Sequence, residues 1–228
     1  MTFQRKLQIL HQLYDIYASY TDSLDLACRQ HCCRCCTRNV TLTSLEATSL
    51  LDSLDPADKN RLLRRVQSNT SLERYQPRIT TNEMAERCAR GEALPEESCD
   101  PDWGPCPLLE NRNCPIYPLR PFACRCLISR SSCEKTGYAD VDEFSLTVNS
   151  IFLQVIEHLD RGGCTGNFTD ILLYLSKLEH MRAYRQGRLE CNAGNLVRNR
   201  SLKILMIPPG HRTTAAPILQ RLQRLGFT

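Results

Sequence analysis

Apolar residues recur at three- and four-residue steps in three long stretches of the chain, a period that predicts amphipathic helices. Over residues 3–27, Leu7, Leu10, Tyr14, Tyr17 and Ala18 share one face. Ile9, Leu13, Ile16 and Tyr20 widen that stripe, so this helix packs on more than one neighbour. Over residues 141–161, Phe144, Val148, Ile151, Phe152, Val155, Ile156 and Leu159 line one face, and Gly162-Gly163 closes it. A third stretch, 169–186, carries Ile171, Leu172, Tyr174, Leu175, Leu178 and Met181 before Gly187.

Shorter helices are marked by their ends rather than by period. Thr43 with Glu46 three residues on forms a capping box, and this helix closes near Leu54. Asp55-Pro56 starts another by the N-cap and first-turn proline rule, running to about Ser71 with Arg61, Arg64 and Arg65 on a solvated face. Residues 82–90, stopped by Gly91, and 215–225 complete the set. Strand-like pieces are few: Asn39–Leu42, Lys203–Ile207, and a tight hairpin with arms at Cys106 and Cys114 around Asn111-Arg-Asn. Each arm of that hairpin begins with Cys-Pro, and proline stiffens it. Residues 91–106 are loop. Gly162-Gly163-x-x-Gly166 follows a helix and is expected to be its C-terminal cap, not a nucleotide loop.

Composition changes this picture in one respect. The chain has 228 residues, 42% hydrophobic and 24% charged, ordinary for one domain with a helical extension, but 14 are cysteine. A disulfide scaffold or metal ligation could account for that number. The N-terminal stretch lacks an apolar segment of signal-peptide length, no stretch has the run needed to cross a bilayer, and adjacent cysteines make awkward disulfide partners. The expectation is a cytoplasmic, reduced chain with no membrane. The net charge is +4, and from Lys177 onward cations are opposed only by Glu179 and Glu190. That basic tail is expected to be a solvated surface. Nucleic acid is the minor alternative, and a protein or redox partner of unknown identity the larger one. Acidic residues gather instead at Glu96, Glu97, Asp100 and Asp102.

The thiols fall in two groups. Residues 28–36 read CRQHCCRCC, and Cys106, Cys114, Cys124 and Cys126 follow some distance on. Thiolates select zinc, copper(I) or iron–sulfur clusters over hard cations. A continued helix would put Cys28, Cys32, Cys35 and Cys36 on one face, with Cys33 elsewhere. It would also hold Cys28 and Cys35 about 10 Å apart along the axis, too far for one ion. Either the helix breaks before this stretch or the thiols divide between centres; the break is preferred. The chain is thus expected to be mainly α, a helical domain with a small cysteine-rich metal-binding core and one or two short β-hairpins. Residues 1–135 would form the metal-binding module with its N-terminal helix, and 136–228 a helical region packed on it.

Cys28-x3-Cys32-x2-Cys35-Cys36, followed by Cys106, Cys114-Pro-Ile-Tyr and Leu119-Arg120-Pro121-x-x-Cys124-Arg125, resembles the YkgJ-type cysteine-cluster family, described as zinc- or iron-chelating. The match spans about residues 25–135. The resemblance implies Cys28, Cys32, Cys35, Cys36, Cys106, Cys114 and Cys124 as ligands, with Cys33 and Cys126 outside the pattern. Cys133, nine residues past Cys124, is the candidate for an eighth. Such a set exceeds the four thiols of one zinc or one [4Fe–4S] cluster. An iron–sulfur centre, [4Fe–4S] in type, is preferred, and zinc is the alternative. Arg29, Arg34 and Arg125 flank the thiols and would offset their charge. His31 is expected to be solvated between ligands. Cys88, Cys99, Cys164 and Cys191 are expected to be lone, small buried hydrophobes.

The corresponding function is a metal-binding protein, with redox or electron transfer as its work. Protein methylation dependent on S-adenosylmethionine is an alternative, since flagellin lysine methylases resemble this family in their cysteine motif. A zinc-stapled adaptor is another. Cys28-x3-Cys32-x2-Cys35 also has radical S-adenosylmethionine spacing, but without the strand-led barrel context that motif needs. Outside the cysteines no catalytic constellation stands out, so enzymatic activity is left open.

Overall fold

Polar side chains that satisfy backbone groups locally decide where most elements of this chain begin and end. The computed structural model describes residues 1–100, 103–191 and 194–226 and is mainly α, with one small three-stranded antiparallel sheet. Helix α1 (Phe3–Thr21) starts where the Thr2 hydroxyl accepts from the Arg5 N–H, and buries Ile9, Leu10, Leu13, Ile16 and Tyr17. It ends at Thr21, not at 27. There the Ser23 hydroxyl donates to the Tyr20 carbonyl at 2.6 Å, an acceptor a further turn would have used. The break ahead of Cys28 is therefore present, and the first thiols do not share a helix face.

Strand β1 (Thr41–Thr43) leads into α2 (Ser44–Ser53) through the expected capping box: Thr43 accepts from the Glu46 N–H, and Glu46 accepts from the Thr43 N–H at 2.9 Å. Asp55 caps α3 (Pro56–Gln67), which closes four residues before the expected 71. Next come α4 (Thr81–Ala89), the one-turn helices α5 (Phe122–Arg125) and α6 (Cys133–Thr136), and α7 (Glu143–Leu159). Strand β2 (Cys164–Asn167), α8 (Phe168–Ser176), α9 (Leu178–Arg185), β3 (Leu196–Arg198) and α10 (Arg212–Gln223) complete the order.

Four expectations are corrected. The helix over 169–186 is two, broken at Lys177 in extended conformation, where the Ser176 hydroxyl takes the Leu173 carbonyl. Residues 203–207 form no strand. The Gln154 amide on α7 donates to the Ile204 carbonyl at 2.7 Å and accepts from the Met206 N–H at 2.9 Å, doing what a neighbouring strand would do. Gly163 and Gly166 belong to the turn and strand β2, not to a helix cap. A Cβ at Gly163 would stand 2.1 Å from Ser44 Oγ, and one at Gly166 would stand 2.3 Å from Leu196 Cδ2. Arg65 is not on a solvated face but holds the hairpin described below. Pro101 and Asp102, in the loop and acidic stretch expected from sequence, lie outside the described residues.

In the sheet, β2 lies between β1 and β3, with Thr41 opposite Asn167 and Cys164 opposite Arg198. Helices α2 and α8 pack on it, and α1, packed on α2 and α7, helps complete one hydrophobic cluster that runs from Ile9 to Leu225. At its centre Tyr17 meets Phe122 edge-on at 4.7 Å and Phe152 at 5.2 Å, and Phe122 stacks on Phe152 at 5.5 Å. A buried polar node locks the opposite end. Asp160 accepts from the Ser44 hydroxyl at 2.6 Å, the Leu45 N–H at 3.1 Å, the Tyr184 hydroxyl at 2.6 Å and the Asn199 amide at 2.9 Å. No helix is long and apolar enough to cross a membrane, among the described residues.

Cys164 and Cys191 are not lone thiols: they form a disulfide that ties the start of β2 to the segment before β3. Cys88 and Cys99 are exposed rather than buried. The basic tail is also partly neutralised, since Arg185 pairs with Asp52, Arg200 with Glu83, and Lys203 with Glu86.

Candidate metal centre

Three segments bring thiols together. The first, residues 28–37, has neither helix nor strand. Its start is fixed where the Ala27 N–H donates to the Ser129 carbonyl at 2.9 Å, and Cys32 and Cys36 close turns on Arg29 and Cys33. Its end pairs with the second segment. The Cys106 N–H donates to the Cys36 carbonyl at 2.8 Å, and the Arg38 N–H to the Gly104 carbonyl at 3.2 Å, around a bridge between Thr37 and Pro105.

The second segment is the expected hairpin. Glu110 and Asn113 exchange both backbone bonds, and Asn111 and Arg112 take positive φ of 46° and 64° at its tip. From α3, Arg65 donates to the Pro107 carbonyl at 2.8 Å and the Leu109 carbonyl at 3.2 Å, and pairs with Glu110. The third segment is a 3-10 turn at Tyr117–Leu119 followed by α5. Glu46 accepts from the Phe122 N–H at 2.7 Å and from the Tyr14 hydroxyl at 2.8 Å, and Asn149 donates to the Cys126 carbonyl at 3.1 Å. Helix α5, and with it Cys124, is thus bolted to the aromatic core.

Seven cysteines of the two sequence groups, Cys28, Cys32, Cys35, Cys36, Cys106, Cys114 and Cys124, line one cavity of about 70 Å³. Val40, Leu108, Ile116 and Phe168 form its apolar wall. Cys33 lines a separate outer groove with Arg34, Arg112 and Glu134. Cys126 does not line the cavity; its thiol donates to the Ala123 carbonyl at 3.5 Å and lies within electrostatic reach of Cys35 and Cys124. Cys133, at the start of α6, is half-buried and does not line the cavity, although it lies within electrostatic reach of Cys28. His31 is exposed at the cavity edge in left-handed conformation, φ 72°.

Burial sets the chemistry of these sulfurs. It pushes the Cys106 thiol up to about 11, with Cys114 adding to the rise. Cys124 stands well above the ordinary thiol range for the same reason, with Cys106 and Cys114 beside it. Cys114 and Cys28 are raised by burial too, and Cys35 by its hydrogen bond with Cys36 and then by burial. These groups are protonated thiols at neutral pH, and an ion binding them displaces protons. The sulfurs are spread around the cavity wall: among the described residues, no three His, Cys, Asp or Glu side chains are gathered to hold one ion in this arrangement. The donor set is soft, reduced and suited to zinc or iron–sulfur chemistry, and the segment that carries four of its thiols is held by its own turns and, at its two ends, by backbone bonds to Ser129 and to residues 104–106.

Sequence reasoning chose Arg29, Arg34 and Arg125 to offset the thiols. Arg125 instead braces the turn before α5: it donates to the Pro118 and Arg120 carbonyls, each at 2.8 Å, and lies over the Tyr14 ring. Arg34 faces the outer groove, and Arg29 is exposed at the cavity rim. The cavity-lining arginines that sequence reasoning missed are Arg38, Arg112 and Arg120. For Arg120 the signal was present, four residues before Cys124 and three after Tyr117. The fold and this site define a mainly helical protein with a cysteine-lined cavity. No family model, no curated protein and no solved structure matches the chain.

Proposed function

We propose that this chain is a metal-binding protein whose centre, iron–sulfur or else zinc, is formed by thiols of both cysteine groups. The observation that carries the reading is that seven cysteines from segments more than sixty residues apart line one cavity, while Cys33 and Cys126 do not. Surface or core thiols have no reason to converge in that way. Cys106, Cys114 and Cys124, on the hairpin and α5, form the fixed half of the site. Cys28, Cys32, Cys35 and Cys36, on the turn-held segment, form the half that closes on the ion. Four sulfurs suffice for one zinc or one [4Fe–4S] cluster.

An iron–sulfur cluster held there would supply one-electron transfer. The chain's own residues keep it from water on the apolar side and leave the rim at Arg29 and His31 exposed to a redox partner. The resemblance to the cysteine-cluster family supports the same reading. The radical S-adenosylmethionine alternative loses ground, because the Cys28–Cys35 motif follows a helix and the only sheet among the described residues is antiparallel.

Anaerobic purification followed by an absorption spectrum and metal and sulfide analysis tests the proposal. Iron with acid-labile sulfide in a brown protein is the expected result. Stoichiometric zinc in a colourless protein would replace iron–sulfur with the zinc alternative. A protein that takes up neither metal would sink both.

A further inference from the structure

A tetrathiolate centre has a charge to settle. Four thiolates around zinc(II), or around a [4Fe–4S] core of equal charge, leave two negative charges uncompensated. In a half-buried, partly apolar cavity that excess is costly unless cations meet it. Four arginines line the cavity: Arg29, Arg38, Arg112 and Arg120. Arg112 is committed to Glu134 in an ion pair, and Arg29 is exposed. The other two are placed differently.

Arg38 donates from Nη1 to the Trp103 carbonyl, and its guanidinium lies so close to Gly104 that a Cβ there would stand 2.7 Å from Nη2. Its Nε–H is buried and has no partner among the described residues. A buried, orphaned donor on a cation is uncommon and calls for an acceptor. Arg120 donates from Nε to the Tyr117 carbonyl at 3.0 Å, and its Cζ lies over the Tyr117 ring, 3.6 Å from the centroid. That stack leaves it close enough to act on the sulfurs of Cys35, Cys114 and Cys124, which belong to both thiol groups. Neither guanidinium pairs with a carboxylate among the described residues.

We propose that Arg38 and Arg120 are the charge-compensating residues of the thiol centre, and that the centre is a complex of four thiolates bearing two negative charges. The inference rests on the metal-centre reading above and sharpens it. Two cations suit four ligating sulfurs, not seven, so three of the lining thiols stand outside the coordination set. Both arginines are positioning residues that act on the ion through its sulfurs.

Zinc(II), which suits any such thiolate site, is the probe. The full chain, freed of metal and kept reduced at its free thiols, is titrated anaerobically against a chromophoric chelator. Arg120→Gln is expected to keep the zinc stoichiometry and far-UV circular dichroism of the unaltered chain while binding zinc about 10- to 100-fold more weakly. Arg120→Lys, which keeps the charge, should recover most of that loss, and Arg61→Gln on exposed α3 should lose nothing. Arg38→Gln should weaken zinc similarly; where losing the Trp103 bond unfolds it, the Arg120 pair decides alone. Unchanged affinity in Arg120→Gln, or a loss that lysine does not restore, overturns the inference and leaves the metal-centre reading standing. An unaltered chain that binds no zinc overturns both.

Discussion

The aromatic core and the thiol cavity meet at α5, yet they are held by opposite means. Around Tyr17, Phe122 and Phe152 the contacts are apolar, the elements regular and the side chains almost wholly buried. Residues 28–37 have turn bonds, one bridge to Pro105 and half-buried thiols. The core draws its stability from burial within the chain. The cavity collects soft donors without using them on one another, apart from the Cys35–Cys36 hydrogen bond. The contrast separates a frame held by apolar burial from a donor loop laid across it. Damage to the frame should then cost both fold and metal, and damage to the loop should cost metal alone.

Phe122→Ala is the largest break in the comparison. The ring is fully buried between Tyr17 and Phe152, two residues from Cys124. Its loss is expected to cost about 3–5 kcal/mol in urea unfolding and to reduce metal content as α5 loosens. A cost below about 1 kcal/mol on the scale of such core truncations would show that the frame does not depend on this contact.

A smaller effect belongs to the frame alone. Asp160 is wholly buried, and burial raises its carboxyl from the ordinary 3.8 to about 6, against the pull of Ser44, Tyr184 and Leu45. The folded state therefore holds the Asp160 proton more tightly than the unfolded chain does. This contribution is fully present below pH 3.8 and lost as pH rises through about 6. The fall is about 3 kcal/mol at about 1.4 kcal/mol per unit. Unfolding free energies of the unaltered chain and Asp160→Asn across that window should differ in slope. Parallel profiles would contradict it.

Smaller again is Thr43→Ala, which removes the acceptor of the capping box at α2 and should cost about 1 kcal/mol. Metal content should hold, because Glu46 still accepts from the Phe122 N–H. Thermal unfolding with metal analysis on the same sample checks both halves.

These effects also mark what could be seen in the sequence. The capping box, the apolar faces of α1 and α7 and the hairpin tip at Asn111-Arg112 were legible, because each is decided within a few residues. Errors arose where a distant or sideways partner decides. Gln154 replaces a strand partner for residues 204–206, and β2 beside β3 brings Cys164 to Cys191. The seven thiols were legible as a set because two separated motifs each carried spacing. Arg38 was not, because an arginine's direction depends on which carbonyl it reaches, and Arg120 was legible only as part of the spacing before Cys124.

The least disturbing test lies within the CRQHCCRCC stretch itself. Cys33 and Cys35 are two residues apart and both half-buried, but only Cys35 lines the cavity, while Cys33 opens on the outer groove beside Arg34 and Glu134. Serine at either position changes one sulfur to oxygen on a segment that contributes no core residue, so unfolding should move by less than about 0.5 kcal/mol in both. Metal should separate them. Cys33→Ser is expected to keep the iron or zinc content of the unaltered chain, and Cys35→Ser to lose most of it. Equal retention in both would place Cys35 among the lining thiols that do not ligate. The reverse order would mean that the segment turns over when it closes on the ion, bringing the outer groove inward, so the loop half of the site would have to be redrawn while the hairpin and α5 half stood as it is.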